Sequence, residues 1–268
     1  MLYILAVVLT VLVSFLWGFI ITHFINKRKK LKTAVRFLIS FGIGLAIAAG
    51  GGVAYALDCY HPDSTALKAM KSNADVTVTA EDNCWLFDGR GEDTLVIFYP
   101  GGKVDARAYA PLMQELAVRG ADCCLVDMPA NMAVFGIDRA DDIIAAHSYD
   151  HVYLAGHSMG GAAAAIYCSN NPDKTDGLIL LAAYSTKELD ESLKVLSVYG
   201  SEDKVLNMKE YEKNKAELPE DTKELIIEGG CHGQFGSYGE QKGDGKASIS
   251  PEAQRSAAAE AVLELIRE

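Results

Sequence analysis

The sequence predicts an α/β fold, a three-layer sandwich built on a mostly parallel sheet and preceded by a two-helix transmembrane hairpin. Three observations carry that reading. Residues 2–22 and 37–57 are two runs of 21 residues without a charged side chain. From about residue 73, short continuous apolar runs alternate with segments of helical periodicity, as parallel strands joined by crossover helices require. One of those runs leads through a glycine-flanked serine into a helix of small residues, a strand, a sharp turn and a helix in succession.

Each apolar run is long enough for one span, because a helix needs about 20 residues to cross about 30 Å of hydrocarbon. A cleavable leader carries its positive charge ahead of a shorter run. Here the only charged side chains before Asp58 are Lys27, Arg28, Lys29, Lys30, Lys32 and Arg36, between the two runs. Basic loops are retained in the cytoplasm, so the 23–36 connector is expected inside and the chain after Asp58 outside. This makes the protein a two-span component of the cell membrane, with the lipid bilayer as a partner. Gly42, Ala46 and Gly50, with Gly44, Ala48 and Gly52, form small-residue seams that let helices approach closely in lipid. The expected organisation is an anchor at 1–57, a polar linker with one short helix at 58–72, and a folded domain at 73–268.

Half of the 268 residues are apolar and 23% are charged, which excludes a disordered chain. Setting aside the six basic residues of the anchor leaves 19 basic against 36 acidic side chains, a net charge of −17. A domain so acidic is not expected to bind nucleic acid, whose phosphates call for Lys and Arg.

Within the domain, residues 76–78 and 85–87 read as an opening hairpin, and 94–99 (TLVIFY) as a central strand buried on both faces. Similar runs follow at 122–126, 151–155, 178–182, 195–199 and 224–227. Helical patterns lie between and after them at about 107–119, 138–147, 160–170, 205–217 and 252–267.

The turn after the 151–155 run is Gly156-His157-Ser158-Met159-Gly160-Gly161. A nucleophile elbow needs glycine two residues either side of its serine, where a side chain would strike neighbouring backbone. A serine hydroxyl also needs a base and an orienting carboxylate, expected at the ends of later strands in the order nucleophile, acid, base. Asp203 follows the 195–199 run and His232 follows the 224–227 run, so Ser158, Asp203 and His232 are the expected triad. Glu202 and Asp127 compete for the acid. His23, His61, His147 and His151 all precede the elbow and are poor bases. Two backbone N–H groups should hold the developing oxyanion. Met159 supplies one, and the loop Pro100-Gly101-Gly102-Lys103 the other, with Gly102 favoured and Gly101 and Lys103 as register alternatives. Lys103 otherwise reads as a solvated or gate-lining side chain.

These segments resemble the α/β-hydrolase superfamily, and more narrowly a small bacterial and plant subgroup with the motifs YPGGKV, GHSxGG, YGSxD and GGxHxQFG. Residues 99–112 (YPGGKVDARAYAPL), 156–161 (GHSMGG), 199–203 (YGSED) and 229–239 (GGCHGQFGSYG) carry the likeness, as does the trailing GDGKASIS, so it spans about residues 70–268. The resemblance implies a compact, nearly lidless serine hydrolase, dienelactone-hydrolase-like and often membrane-anchored, that acts on small esters or lactones without a cofactor. It also implies that Gln234, Phe235 and Tyr238 shape the pocket rim. Met159 stands where Leu is usual and Cys231 where Asn is usual; neither removes a catalytic atom. The rival class is a catalytically silent binding or sensor module, which would be expected to have lost Ser158, His232 or an oxyanion glycine.

The six cysteines show no CxxC or Cys/His spacing of a zinc site, so no metal is expected. Cys123, Cys124 and Cys168 read as buried small hydrophobes. Cys59 and Cys84 alone lie where a disulfide could form.

Overall fold

A computed structural model describes residues 2–90 and 93–268, in two units, Met1–Asp58 and Cys59–Glu268. The first unit is a helical hairpin of α1 (Leu2–Lys29) and α2 (Thr33–Leu57). Its turn is made by Lys30 at φ 45°, and the Asn26 side chain accepts the Leu31 N–H at 2.8 Å. The windows Thr10–Lys27 and Thr33–Tyr55, of mean hydropathy 1.3 and 2.0, are long and apolar enough to cross a membrane, and most of their side chains are exposed. The helices meet through Phe15 with Phe41 and Phe19 with Phe37. Among the described glycines, the helices approach closely at Gly18, where a Cβ would overlap the Ser40 carbonyl oxygen, and at Gly44, where it would lie 2.6 Å from the Phe15 ring. Of the glycines in the expected small-residue seams, Gly42, Gly50 and Gly52 have open space around them and Gly44 sits at the helix contact.

The second unit holds α3 (Ser64–Ala69), β1 (Thr77–Ala80), β2 (Cys84–Asp88), β3 (Thr94–Tyr99), α4 (Ala110–Val118), β4 (Asp122–Val126), α5 (Arg139–Ala146), β5 (His151–His157), α6 (Met159–Asn170), β6 (Gly177–Leu181), β7 (Lys194–Gly200), α7 (Met208–Asn214), β8 (Lys223–Ile227) and α8 (Pro251–Ile266). The strands form one sheet in the order β1-β2-β4-β3-β5-β6-β7-β8. β2 runs antiparallel to β1 and β4, and every other pairing is parallel.

Alternation along the strands feeds two hydrophobic layers. Val96 and Phe98 of β3 and Cys123 and Leu125 of β4 pack on one side with Leu112 and Met113 of α4 and Val262 and Leu263 of α8. Leu95, Ile97 and Tyr99, with Cys124 and Val126, pack on the other with Ile143 of α5 and Ala163 to Ala165 of α6. Both faces of the central strands are therefore covered, which is why their sequences are apolar without interruption.

Residues 59–72 are stitched into this domain and do not form a free linker. Tyr60 bridges Val104, its N–H donating to Lys103 O at 2.8 Å, and Asp63 N–H donates to Ser237 O at 2.8 Å. The folded unit accordingly begins at Cys59.

Candidate active site

β5 ends at His157 and α6 starts at Met159, leaving Ser158 alone to turn the chain, at φ 54° and ψ −121°. Such a conformation is costly for a residue with a Cβ. It is held by the Ser158 N–H donating to Leu181 O at 2.9 Å in the neighbouring strand. A Cβ on Gly156 would lie 2.5 Å from the Gly160 carbonyl carbon, and one on Gly160 would overlap the Tyr99 carbonyl oxygen, so both positions have room only for hydrogen.

Asp203 lies in the loop after β7 and His232 in the loop after β8, and the two loops are bonded together. Glu202 N–H donates to Gly230 O at 2.8 Å and Gly229 N–H to Ser201 Oγ at 2.9 Å. His232 Nδ1 lies 2.8 Å from Asp203 Oδ2, with side chains 2% and 1% exposed. Asp203 Oδ1 accepts the N–H groups of Val205 and Leu206, both at 2.8 Å, so the carboxylate is fixed from both sides. A carboxylate only accepts, which puts the proton on Nδ1 and leaves Nε2 as the basic nitrogen. Nε2 is buried and has no partner.

A buried hydrogen-bond chain ties this pair to the elbow. Gly101 N–H donates to Tyr109 Oη at 3.1 Å, and Tyr109 Oη donates to His157 Nδ1 at 2.8 Å. His157 Nε2–H donates to His232 O at 3.1 Å. Burial, followed by the nearby His232 ring, pushes the His157 pKa well below the usual imidazole value, so His157 is a neutral strut. Its ring packs against His232 and Phe235.

The register of the glycine loop follows from where its N–H groups go. Gly101 N–H is taken by Tyr109, and Lys103 N–H donates to Asn131 O at 2.8 Å. Among the described residues the Gly102 and Met159 N–H groups make no such bond, and Gly102 packs so closely on Met159 that a Cβ would come 2.9 Å from its methyl carbon.

Residues of the C-terminal segment, which sequence reasoning did not single out, also hold the base. Gln254 on α8 accepts Cys231 N–H at 2.9 Å and donates to Cys231 O at 2.7 Å. This clamp grips backbone, so it tolerates Cys231 where Asn is usual. Burial, followed by the neighbouring Asp244 carboxylate, raises the pKa of the Cys231 thiol to about 11. Asp244 Oδ2 accepts Gly233 N–H at 2.8 Å and Oδ1 accepts Lys204 N–H at 3.3 Å, joining the loops of His232 and Asp203. Fixed spacing carried no signal for either residue, because each acts across a fold-dependent gap.

Phe235 and Tyr238 are not at a rim: Phe235 is fully buried and Tyr238 nearly so, both in the main core. Gln234 lines a cavity of about 1030 Å³ with Tyr60, Lys246 and Arg255, a cavity whose lining includes neither Ser158 nor His232. Of the competing carboxylates it is Asp203 that is bonded to His232, and two of the expected poor bases are engaged elsewhere, His147 with Glu81 and His151 with Asp176. Among the described residues Cys84, Cys123, Cys124, Cys168 and Cys231 are free thiols, so Cys84 is not paired with Cys59. Cys84 bonds to Glu81, while Cys59 lies beside His61.

A family model described as "Alpha/beta hydrolase family" matches residues 95–256. Among solved structures, alpha/beta hydrolase domain-containing protein 10 from mouse is 12% identical with a TM-score of 0.54, covering 72% of this chain and 99% of its own. A predicted CIB-like hydrolase from Thermoplasma acidophilum is 15% identical, TM-score 0.54, with coverage of 70% and 99%. Est1E from Butyrivibrio proteoclasticus is 15% identical, TM-score 0.52, with coverage of 73% and 100%. These likenesses show the fold alone. No curated protein matches the chain.

Proposed function

The chain belongs to the alpha/beta hydrolase family, and from that premise we propose that it is a membrane-anchored serine hydrolase that cleaves a small ester, lactone or related acyl substrate. The observation that carries the reading is His232, with Nδ1 fixed on buried Asp203 and Nε2 buried without a partner beyond the strained Ser158 elbow.

In this chemistry Nε2 takes the Ser158 hydroxyl proton as Oγ attacks the acyl carbon. The Met159 and Gly102 N–H groups receive the oxyanion, and Asp203 stabilises the imidazolium that forms. Nε2 then gives its proton to the leaving oxygen, which departs and leaves an acyl group on Ser158. Water enters, Nε2 accepts its proton, and collapse of the second tetrahedral adduct returns the proton to Oγ and frees the acid. None of these steps needs a cofactor.

The hairpin serves as the anchor. Its basic connector lies in the cytoplasm and the −17 domain outside, on the charge bias of its loops. Protease added to intact cells is expected to remove the domain; digestion only after lysis would reverse the orientation.

Ser158→Ala tests the chemistry. It is expected to abolish labelling by a fluorophosphonate and to lower ester hydrolysis by a factor on the order of a million. Labelling equal to the parent's would refute the assignment.

A further inference from the structure

Away from the proposed catalytic residues, the fold gathers four metal-ligating side chains that lie far apart in sequence. Glu81 and Cys84 flank the β1–β2 turn, Cys124 is in the middle of β4, and His147 is the residue that ends α5. On the β2–β4 ladder Cys84 pairs with Val126 and Leu86 with Cys124, so the two cysteines are diagonal neighbours on one face of the sheet. Cys84 Sγ–H donates to Glu81 Oε2 at 3.6 Å, and the same oxygen lies 3.0 Å from His147 Nε2. The donor atoms of Glu81, Cys124 and His147 are all within 4.8 Å of one another.

We propose that Glu81, Cys84, Cys124 and His147 form a structural site for a zinc ion. Two sulfurs, an imidazole nitrogen and a carboxylate oxygen are a donor set that suits this borderline-soft ion. The spacing fits as well. With Zn–S near 2.3 Å and Zn–N and Zn–O near 2.0–2.1 Å, a tetrahedron has S···O edges of about 3.6 Å and an N···O edge of about 3.3 Å. The Cys84–Glu81 and His147–Glu81 separations are 3.6 Å and 3.0 Å, while Cys84 Sγ lies outside the group of mutually close donors and moves in on binding. Binding forms two Zn–S bonds, one Zn–N bond and one Zn–O bond, and the two thiol protons pass to water.

Cys84 and Cys124 are buried, while the His147 and Glu81 side chains are 16% and 30% exposed, which leaves the ion a way in from solvent. Four protein ligands leave no position for a reacting water, so the site is structural. It fastens the antiparallel edge of the sheet to its parallel centre and to α5, and a second tie, from Asn83 Nδ2 to Asp142 Oδ2 at 3.4 Å, runs beside it.

The test is metal analysis of the full chain, purified in detergent without chelator and then equilibrated with Zn²⁺ under reducing conditions. About one zinc per chain is expected, with zinc affinity lowered at least about tenfold in Cys124→Ser and in His147→Ala, and unchanged in Cys168→Ser. Because Cys124 is buried, His147→Ala, at the solvent side, serves where Cys124→Ser fails to fold. Co²⁺ in place of Zn²⁺ is expected to give thiolate charge-transfer absorption and intense tetrahedral d–d bands. A Cys84–Cys124 disulfide in unreduced peptides, no zinc after reduction and equilibration, or zinc that survives both ligand substitutions would each overturn the proposal.

Discussion

Replacing Tyr109 with Phe deletes one oxygen from the centre of the chain that joins the glycine loop, the elbow and the histidine loop. That oxygen accepts from Gly101 at 3.1 Å and donates to His157 at 2.8 Å, both in buried surroundings. The substitution therefore orphans one backbone donor and one imidazole acceptor. Each orphaned buried group costs about 1–3 kcal/mol, and relaxation of the loop recovers part of it, so a net loss of about 3 kcal/mol is expected. The phenyl ring stays packed against Phe98 at 4.9 Å, so little of the cost comes from a cavity. In a unit of 210 residues, 1 kcal/mol moves the melting temperature by about 2–4 °C, which predicts a fall of about 6–12 °C. Freed of its tether, the loop no longer holds the Gly102 N–H in place, and kcat on p-nitrophenyl acetate is expected to fall about tenfold or more, with KM little changed. Circular dichroism melting and ester kinetics on the full chain in detergent read both effects. A melting temperature within about 2 °C of the parent's, with unchanged kcat, would refute the network as a tether.

Asp203→Asn keeps an acceptor for the Val205 and Leu206 N–H groups but turns an amide donor toward His232 Nδ1; the wrong tautomer results, and ester kinetics should show kcat lower by about 10⁴. His157 is held neutral in the fold, its pKa depressed well below 6.5, whereas the unfolded chain protonates it below that pH. The unfolded state then binds more protons, so stability falls as pH drops below about 6.5, and a urea midpoint that stays flat between pH 7 and 5 would contradict this. Asp244→Ala unties Gly233 from Lys204, and is expected to lower kcat about tenfold with KM little affected; a change in KM alone would show that it touches substrate instead.

The parts of the fold that were legible in the sequence are those where one local rule decides. The 94–99, 122–126, 151–155 and 195–199 runs became β3, β4, β5 and β7 because burial on both faces demands unbroken apolar sequence. β1 was displaced from 76–78 to Thr77–Ala80, since at the sheet's edge its side chains are mostly exposed and pairing with β2 sets its limits. Asp203 and His232 were expected together from their strand-end positions, and the structure brings these two together. Tyr109, Asp244 and Gln254 were not legible, because their partners lie 8 to 48 residues away and no spacing announces them. The cluster of Glu81, Cys124 and His147, with Cys84 beside it, is the extreme case: it needs the hairpin, the β2–β4 register and the end of α5 all in place before three donors come within 4.8 Å of one another.

The backbone at Ser158 has a consequence for selection on durability. A side chain held at φ 54° and ψ −121° costs every folded copy of the molecule about 1–3 kcal/mol, whether or not a substrate ever arrives. Glycine adopts that region freely, so Ser158→Gly relieves the strain and, on the proposed chemistry, removes the nucleophile in the same stroke. Heat resistance and turnover therefore pull this one codon in opposite directions. A laboratory population screened only for survival of heating should accumulate Ser158→Gly, a tougher protein that does nothing, while one screened for ester cleavage should keep the strained serine and repair its stability elsewhere.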